Sequence, residues 1–224
     1  MEVQAMNSQE KGANPTGWRA LFQPRVLDRF EQVVILLLWC GLVYRVSNAV
    51  LLGQAPPWAY LVLIAETSVM FFTVIRRPTD RISVNWRDWL LAATATFLPL
   101  LVQTGGERTD LMLQIAVALI VIGNSYQLLA KLFLRRSFGV APANRGIKID
   151  GPYRLMRHPM YAGYLVIHIG NLILFPLWAN VVLYGASWAA QILRLLAEER
   201  LLSQDPAYRA YMEKVRWRLI PGVF

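Results

Sequence analysis

The chain has 224 residues, 56% of them hydrophobic and only 17% charged, with a mean hydropathy of +0.37. Soluble domains run at about 45–50% apolar and about 25% charged residues, so the composition points to an integral membrane protein. Eight Trp, nine Tyr and nine Phe exclude a disordered chain, the single Cys40 excludes an intrachain disulfide, and two His leave too few ligands for a zinc cluster. No metal is expected.

In chain order, Met1–Gly17 is polar and lacks the basic-then-apolar pattern of a cleavable signal peptide. Trp18–Gln32 mixes Trp18, Leu21, Phe22 and Phe30 with Arg19, Arg25 and Arg29, which predicts an interfacial helix. Apolar runs of membrane-span length follow at Val33–Leu52, Trp58–Ile75, Trp89–Val102 and Leu111–Leu134. A fifth run, Pro159–Ala197, is too long for one span and carries Asn171, Pro176 and Asn180 near its middle. It reads as two arms folding back at Phe175–Asn180, since proline removes a helix donor and disfavours helix before it. Pro206–Ile220 places Tyr208, Tyr211, Met212, Val215 and Leu219 at helical spacing, which predicts an amphipathic helix on the membrane surface.

The expected fold is therefore all-α and membrane-integral, with about six membrane helices: four spans plus a C-terminal helical hairpin, and interfacial helices at both ends. Three regions follow from it: 1–32, the polar N-terminus and interfacial helix; 33–134, the four spans; and 135–224, the loop, hairpin and C-terminal helix. Of the 23 Lys and Arg, four precede the first span, four lie in 76–88, six in 135–157 and six from Arg194 onward. The positive-inside rule then puts both termini and both basic loops in the cytoplasm. The net charge of +9 is accounted for by this topology and by anionic headgroups, and no nucleic-acid partner is expected.

Polar residues inside the spans carry further expectations. Arg45 lies about 18 Å into the first span and Glu66 about 14 Å into the second, at 1.5 Å per residue. Similar depth on adjacent antiparallel helices predicts an intramembrane ion pair, with a proton path as the functional alternative. Asn124, Gln127 and Lys131 share one face of the fourth span, either as interhelical hydrogen bonding with a snorkelling lysine or as the polar wall of a cavity. Gly185, Ala186, Ala189 and Ala190 read as close helix packing, Cys40 as a buried spectator and His168 as a bonded core histidine.

The chemistry is expected where polar and glycine residues concentrate. One cluster runs Gly146, Asp150, Gly151-Pro152-Tyr153-Arg154, Arg157-His158-Pro159-Met160-Tyr161 and Gly163; the other holds Arg194, Glu198-Glu199-Arg200, Tyr208, Tyr211, Arg216, Arg218 and Pro221. Both arms of the hairpin end on one side, so the clusters can meet. Arg194 and Glu198, four apart, share a helix face.

The pattern Gly-Pro-Tyr-Arg-x-x-Arg-His-Pro-Met-Tyr-x-Gly, then Arg-x-x-x-Glu-Glu and a Tyr-x-x-Tyr helix ending near a proline, resembles the isoprenylcysteine carboxyl methyltransferase family and its bacterial relatives. Phospholipid methyltransferases are similar in the same region. The resemblance covers roughly 145–224; the first four spans match only in being apolar, and 135–144 departs from the family pattern. It implies a membrane fold that binds S-adenosylmethionine at the cytoplasmic face of a cell inner membrane or an endoplasmic-reticulum-type membrane. The implied cofactor contacts fall on Ile147, Lys148, Tyr153, His158, Pro159, Met160, Tyr161 and Glu198. The implied substrate-carboxylate group is Arg194, and Glu199 or His158 would be the base if the acceptor were an amine. The implied acceptor is lipidic or prenylated, with a carboxylate ahead of a lipid amine or thiol. A nicotinamide-dependent membrane reductase and a non-catalytic scaffold are the competing readings, and the oligomeric state is left open.

Overall fold

The computed structural model describes residues 23–53 and 60–224, with side chains from Thr67 onward in the second stretch. Met1–Phe22 and residues 54–59 lie outside the described residues, as does the Glu66 side chain of the expected Arg45–Glu66 pair, while Arg45 is exposed. Those residues form seven α-helices and no named strand: α1 Pro24–Leu51, α2 Tyr60–Ile75, α3 Trp86–Phe97, α4 Asp110–Leu134, α5 Pro159–Leu174, α6 Trp178–Leu202 and α7 Pro206–Lys214. A short 3-10 turn, Leu98–Leu101, extends α3, and another, Gly151–Arg154, precedes α5.

Two helices, Pro24–Leu51 and α4 with its following turn (Asp110–Ser137), are long and apolar enough to cross a membrane. At 1.5 Å per residue α1 is about 42 Å long, against a hydrocarbon core of about 30 Å. Their outward residues include Leu36, Leu37, Val121, Ile122 and Leu129, an apolar surface that water would not tolerate at this extent. The other membrane helices expected from the sequence form as helices but do not all reach this measure. α3 spans only about 18 Å before Pro99 tightens it into the 3-10 turn, and α5 about 24 Å. The expected set of six full membrane helices thus reduces to two candidate spans and a shorter apolar helix, Pro159–Leu174.

Several boundaries differ for physical reasons. From Pro24 the first helix runs without a break into the apolar span, so 24–32 is not a separate interfacial helix. Its Asp28 and Glu31 are buried, which the alternation of Arg and apolar residues had concealed. The hairpin turns where expected, α5 ending at Leu174 and α6 starting at Trp178. Asn180, fully buried, explains the turn: its amide donates to the carbonyls of Phe175 (3.0 Å) and Gln103 (2.9 Å) and accepts from Gln103 N (2.9 Å). α7 stops at Lys214, earlier than the expected Ile220, and the chain continues as an irregular tail.

α4 and α5 form the closest helix pair, and glycine makes it possible. A Cβ on Gly123 would sit 2.9 Å from the carbonyl oxygen of Gly163, and one on Gly163 would sit 3.0 Å from that of Gly123. The expected small-residue stripe on α6 does not pack this way. Gly185, Ala186 and Ala189 are exposed and nothing approaches within 4 Å of a Cβ on Gly185. Cys40 is likewise exposed rather than buried, on the apolar outer face of α1. His168 is buried and accepts from Trp188 Nε1 at 3.1 Å, so it is a bonded core histidine. Lys131 does not snorkel: it is buried, donating to Gln127 Oε1 (2.8 Å) and to Ser68 Oγ on α2 (3.0 Å).

The basic loops gather at one end of the bundle. Arg76, at the end of α2, pairs with Asp28 (2.8 Å) and Glu31 of α1, and Arg145, from the loop after α4, pairs with Asp28 at 2.7 Å. An isolated bridge between Ile82 and Ala143 ties the 76–85 loop to the same segment. The α4–α5 contact yields a direct test: Gly163→Leu should lower stability by about 1–3 kcal/mol through overpacking, whereas Gly185→Leu should leave it nearly unchanged. Thermal unfolding of the two variants in one detergent measures the difference.

Candidate functional site

A cleft opens at the basic end of the bundle, with about 730 Å³ of empty space partly continuous with solvent. Its first wall is the loop after α4, including Ser137, Gly139, Ala141, Ala143, Arg145 and Gly146. That loop is held from behind. Arg145 Nε donates to Phe138 O (3.1 Å), Ser137 Oγ to Arg145 O (3.1 Å) and Asn144 Nδ2 to Asp205 Oδ2 (2.9 Å). Burial, then repulsion from Arg76, lowers the pKa of Arg145, and the carboxylates of Glu31 and Asp28 oppose that effect. Gly146 turns the chain at φ +100, a conformation glycine adopts freely.

The floor is the start of α5, and here the tail closes the site. The backbone N–H groups of Arg157 and His158 donate to the carbonyls of Trp217 (2.9 Å) and Arg218 (2.8 Å). Glu199, one turn from the end of α6, joins the three elements. Its Oε1 meets Arg157 Nε at 2.7 Å and His158 Nε2 at 3.1 Å, and its Oε2 accepts from Arg218 Nε at 2.8 Å. Tyr211 on α7 adds a strut, its hydroxyl donating to Tyr153 O at 2.7 Å. Burial pushes the phenols of Tyr153, Tyr208 and Tyr211 above their ordinary pKa, so each stays a neutral hydroxyl.

Of the residues expected from the sequence, Ile147, Lys148, Tyr153, His158, Met160, Tyr161 and Glu198 line the cleft. Pro159 is buried beneath the α5 start and does not line it. Glu199 sits in the ion cluster behind the wall. Arg194 lies one turn deeper on α6 than Glu198, with its guanidinium over the Tyr161 ring at 5.5 Å. Tyr161 touches both: its hydroxyl donates to Glu198 Oε2 at 2.9 Å while its face meets Arg194. Arg194 is buried, donates to Val140 O at 2.6 Å, and among the described residues has no carboxylate within ion-pair distance.

The 137–145 wall was missed by the sequence reading, because its contribution is mostly backbone and small side chains. Tyr208 was read as part of the amphipathic helix and of a polar cluster, with no ligand role of its own. Its buried hydroxyl lines the cleft and has no hydrogen-bond partner among the described residues.

The segment from Leu111 to Tyr208 thus holds nearly all of the cleft. Residues 111–208 match the phospholipid methyltransferase family. That family includes isoprenylcysteine carboxyl methyltransferase-like proteins, so the resemblance read from the motif holds where the two overlap, 145–208, and the match also takes in α4 and 135–144, which the motif had left out. The matched segment begins one residue into α4 and ends in the first turn of α7, taking in Arg194, Glu198 and Glu199 but leaving Tyr211 and Arg218 outside. No curated protein matches the chain.

Glu199 offsets the charge of the cations around it, so Glu199→Gln should destabilise the fold by about 3–5 kcal/mol, the cost of breaking a buried pair. Glu198→Gln, which leaves the ion pairs of this cluster intact, should change stability by under about 1 kcal/mol. Melting curves of both variants decide this; equal melts would remove Glu199 from its structural role.

Proposed function

We propose that the chain is an S-adenosylmethionine-dependent methyltransferase that acts at a membrane surface on the carboxylate of a hydrophobic acceptor. The observation that carries this reading is Arg194: a buried cation with no carboxylate partner, one turn from a cleft whose wall ends in Glu198. A buried, unpaired charge is costly, and an anionic acceptor arriving beside Tyr161 offsets that cost.

The cleft residues fit the cofactor. The orphan Tyr208 hydroxyl, the N–H groups of Ile147 and Lys148, which make no hydrogen bond within the described residues, and the Glu198 carboxylate offer donors and an acceptor for a ribose and an amino acid moiety. Tyr153, Tyr161, Met160 and Tyr211 offer apolar area for a purine. When bound, the cofactor supplies an electrophilic methyl group on a cationic sulfur. The protein's part is then alignment and exclusion of water. A carboxylate with a pKa of about 4 is already ionised and needs no base, and the planar guanidinium of Arg194 can orient it through two parallel hydrogen bonds. Tyr161 positions the two halves of the site against each other. Glu199, with its oxygens taken by Arg157, His158 and Arg218, holds the floor rather than moving a proton.

The basic end of the bundle faces the cytoplasm in this reading, and the apolar exterior of α1 and α4 faces lipid. A second reading, a lipid amine acceptor, is favoured by the description of the matched family. It would require His158 to take the proton, after release from Glu199.

Calorimetry of S-adenosylhomocysteine against the detergent-solubilised protein, with NADPH as comparison, tests the proposal. Saturable binding of the nucleoside thioether alone is expected; binding of NADPH alone supports a reductase, and binding of neither a scaffold. Glu198→Gln should weaken that binding at least about tenfold, a charged hydrogen bond being worth about 1.5–3 kcal/mol. Arg194→Ala should keep it and lose methyl transfer.

A further inference from the structure

A second cleft lies at the C-terminal end of α4, lined by Phe133, Arg135, Lys148, Asp150, Gly151 and Arg154. Three cations face one carboxylate there. The lone acid is only loosely engaged: Asp150 meets Arg154 at 3.4 Å, and both side chains are largely exposed. The Arg135 backbone N–H donates to Lys131 O, but neither the Arg135 nor the Lys148 side chain has a hydrogen bond or ion pair within the described residues. Other basic groups nearby are satisfied. Arg136 donates to Ile75 O at 2.9 Å, Arg76 and Arg145 are held by Asp28 and Glu31, and Arg157 and Arg218 by Glu199.

The backbone gives a second, independent sign. Arg135 has φ +50, the one described non-glycine residue in the left-handed region. A glycine would make this turn without strain; the arginine instead keeps a cation at the cleft. Gly151, at φ +59, lets the chain pass so close that a Cβ would lie 2.5 Å from the Phe133 ring, which closes the cleft's apolar side.

The surroundings decide the chemistry of the ligand. α4 is one of the two helices apolar enough to cross a membrane, and its last turns expose Leu129, Leu132 and Phe133 directly below the basic rim. Ile149 and Leu155, flanking the rim, are exposed as well. An anion with an apolar tail fits such a boundary, the charge against the arginines and the chain along α4. We propose that this cleft binds the phosphate of an anionic membrane phospholipid. Lys148 lines both this cleft and the candidate cofactor cleft, so an occupied site would brace the lip of the latter. The proposal does not rest on the methyltransferase reading.

Native mass spectrometry of the full chain, released from detergent containing equal phosphatidylglycerol and phosphatidylcholine, tests it. The wild type should retain phosphatidylglycerol at least fivefold over phosphatidylcholine. Arg135→Gln/Arg154→Gln should lose that preference, while Arg87→Gln/Arg209→Gln, exposed arginines elsewhere, should keep it. If the double variant does not fold, Arg154→Gln alone, at an exposed position, should reduce the preference at least twofold. No preference in the wild type, an unchanged preference in the Arg135/Arg154 variants, or equal loss in the Arg87/Arg209 pair would overturn the proposal. Displacement of the lipid by millimolar inorganic phosphate would overturn its assignment to a lipid.

Discussion

Four buried charges, Asp28, Glu31, Arg76 and Arg145, set the frame on which the rest of the molecule depends. Removing an ion from water costs several kcal/mol even after relaxation, so these groups must find one another or remain solvated. By pairing, they fix the start of α1, the end of α2 and the loop after α4 relative to one another. The effect reaches the site through one residue, Val140. Glu31 accepts from Val140 N at 2.7 Å, and the Val140 carbonyl accepts from Arg194 at 2.6 Å. A charge at the start of the first described helix is thereby coupled to the cation at the heart of the sixth.

Glu199 does on the opposite wall what the four-charge cluster does on the first. It fastens the α5 entrance and the tail to α6, so the cleft lies between two ion clusters rather than between packed apolar faces. This division of labour suits a membrane-bound methyl transfer. The exposed surface of α1 and α4 is apolar and long enough for a membrane, and the polar end builds the cleft from charges, backbone groups and tyrosines. The α4–α5 glycine contact then sets how close the floor lies to the first wall.

The hairpin was legible in the sequence because its signals are local. Pro176 and Asn180 interrupt an apolar run, and the proline's stiffness together with the bonds of the Asn180 amide makes the turn. The two polar clusters around His158 and Glu198 were legible for the same reason, and the structure brings them to one cleft; which of their residues would hold a cofactor came only from the motif's resemblance. The four-charge cluster was not. Asp28 and Arg145 are 117 residues apart, and Asp28 and Glu31 sit among arginines that suggest a wet surface. An acid three residues from another, just ahead of an apolar span, was the available signal. The 137–145 wall escaped because glycine, alanine and backbone groups carry no compositional mark. Cys40 and the α6 small residues were misread because helical spacing tells which residues share a face, not whether that face meets protein or lipid.

Hydrogen–deuterium exchange of the full chain with and without S-adenosylhomocysteine tests the central claim most directly, that the cleft between the two ion clusters is the cofactor site. The account predicts slowed exchange confined to about 137–161 and 198–218, the walls and floor that the ligand would bridge. Saturable binding with protection elsewhere, or with none in these segments, would contradict it.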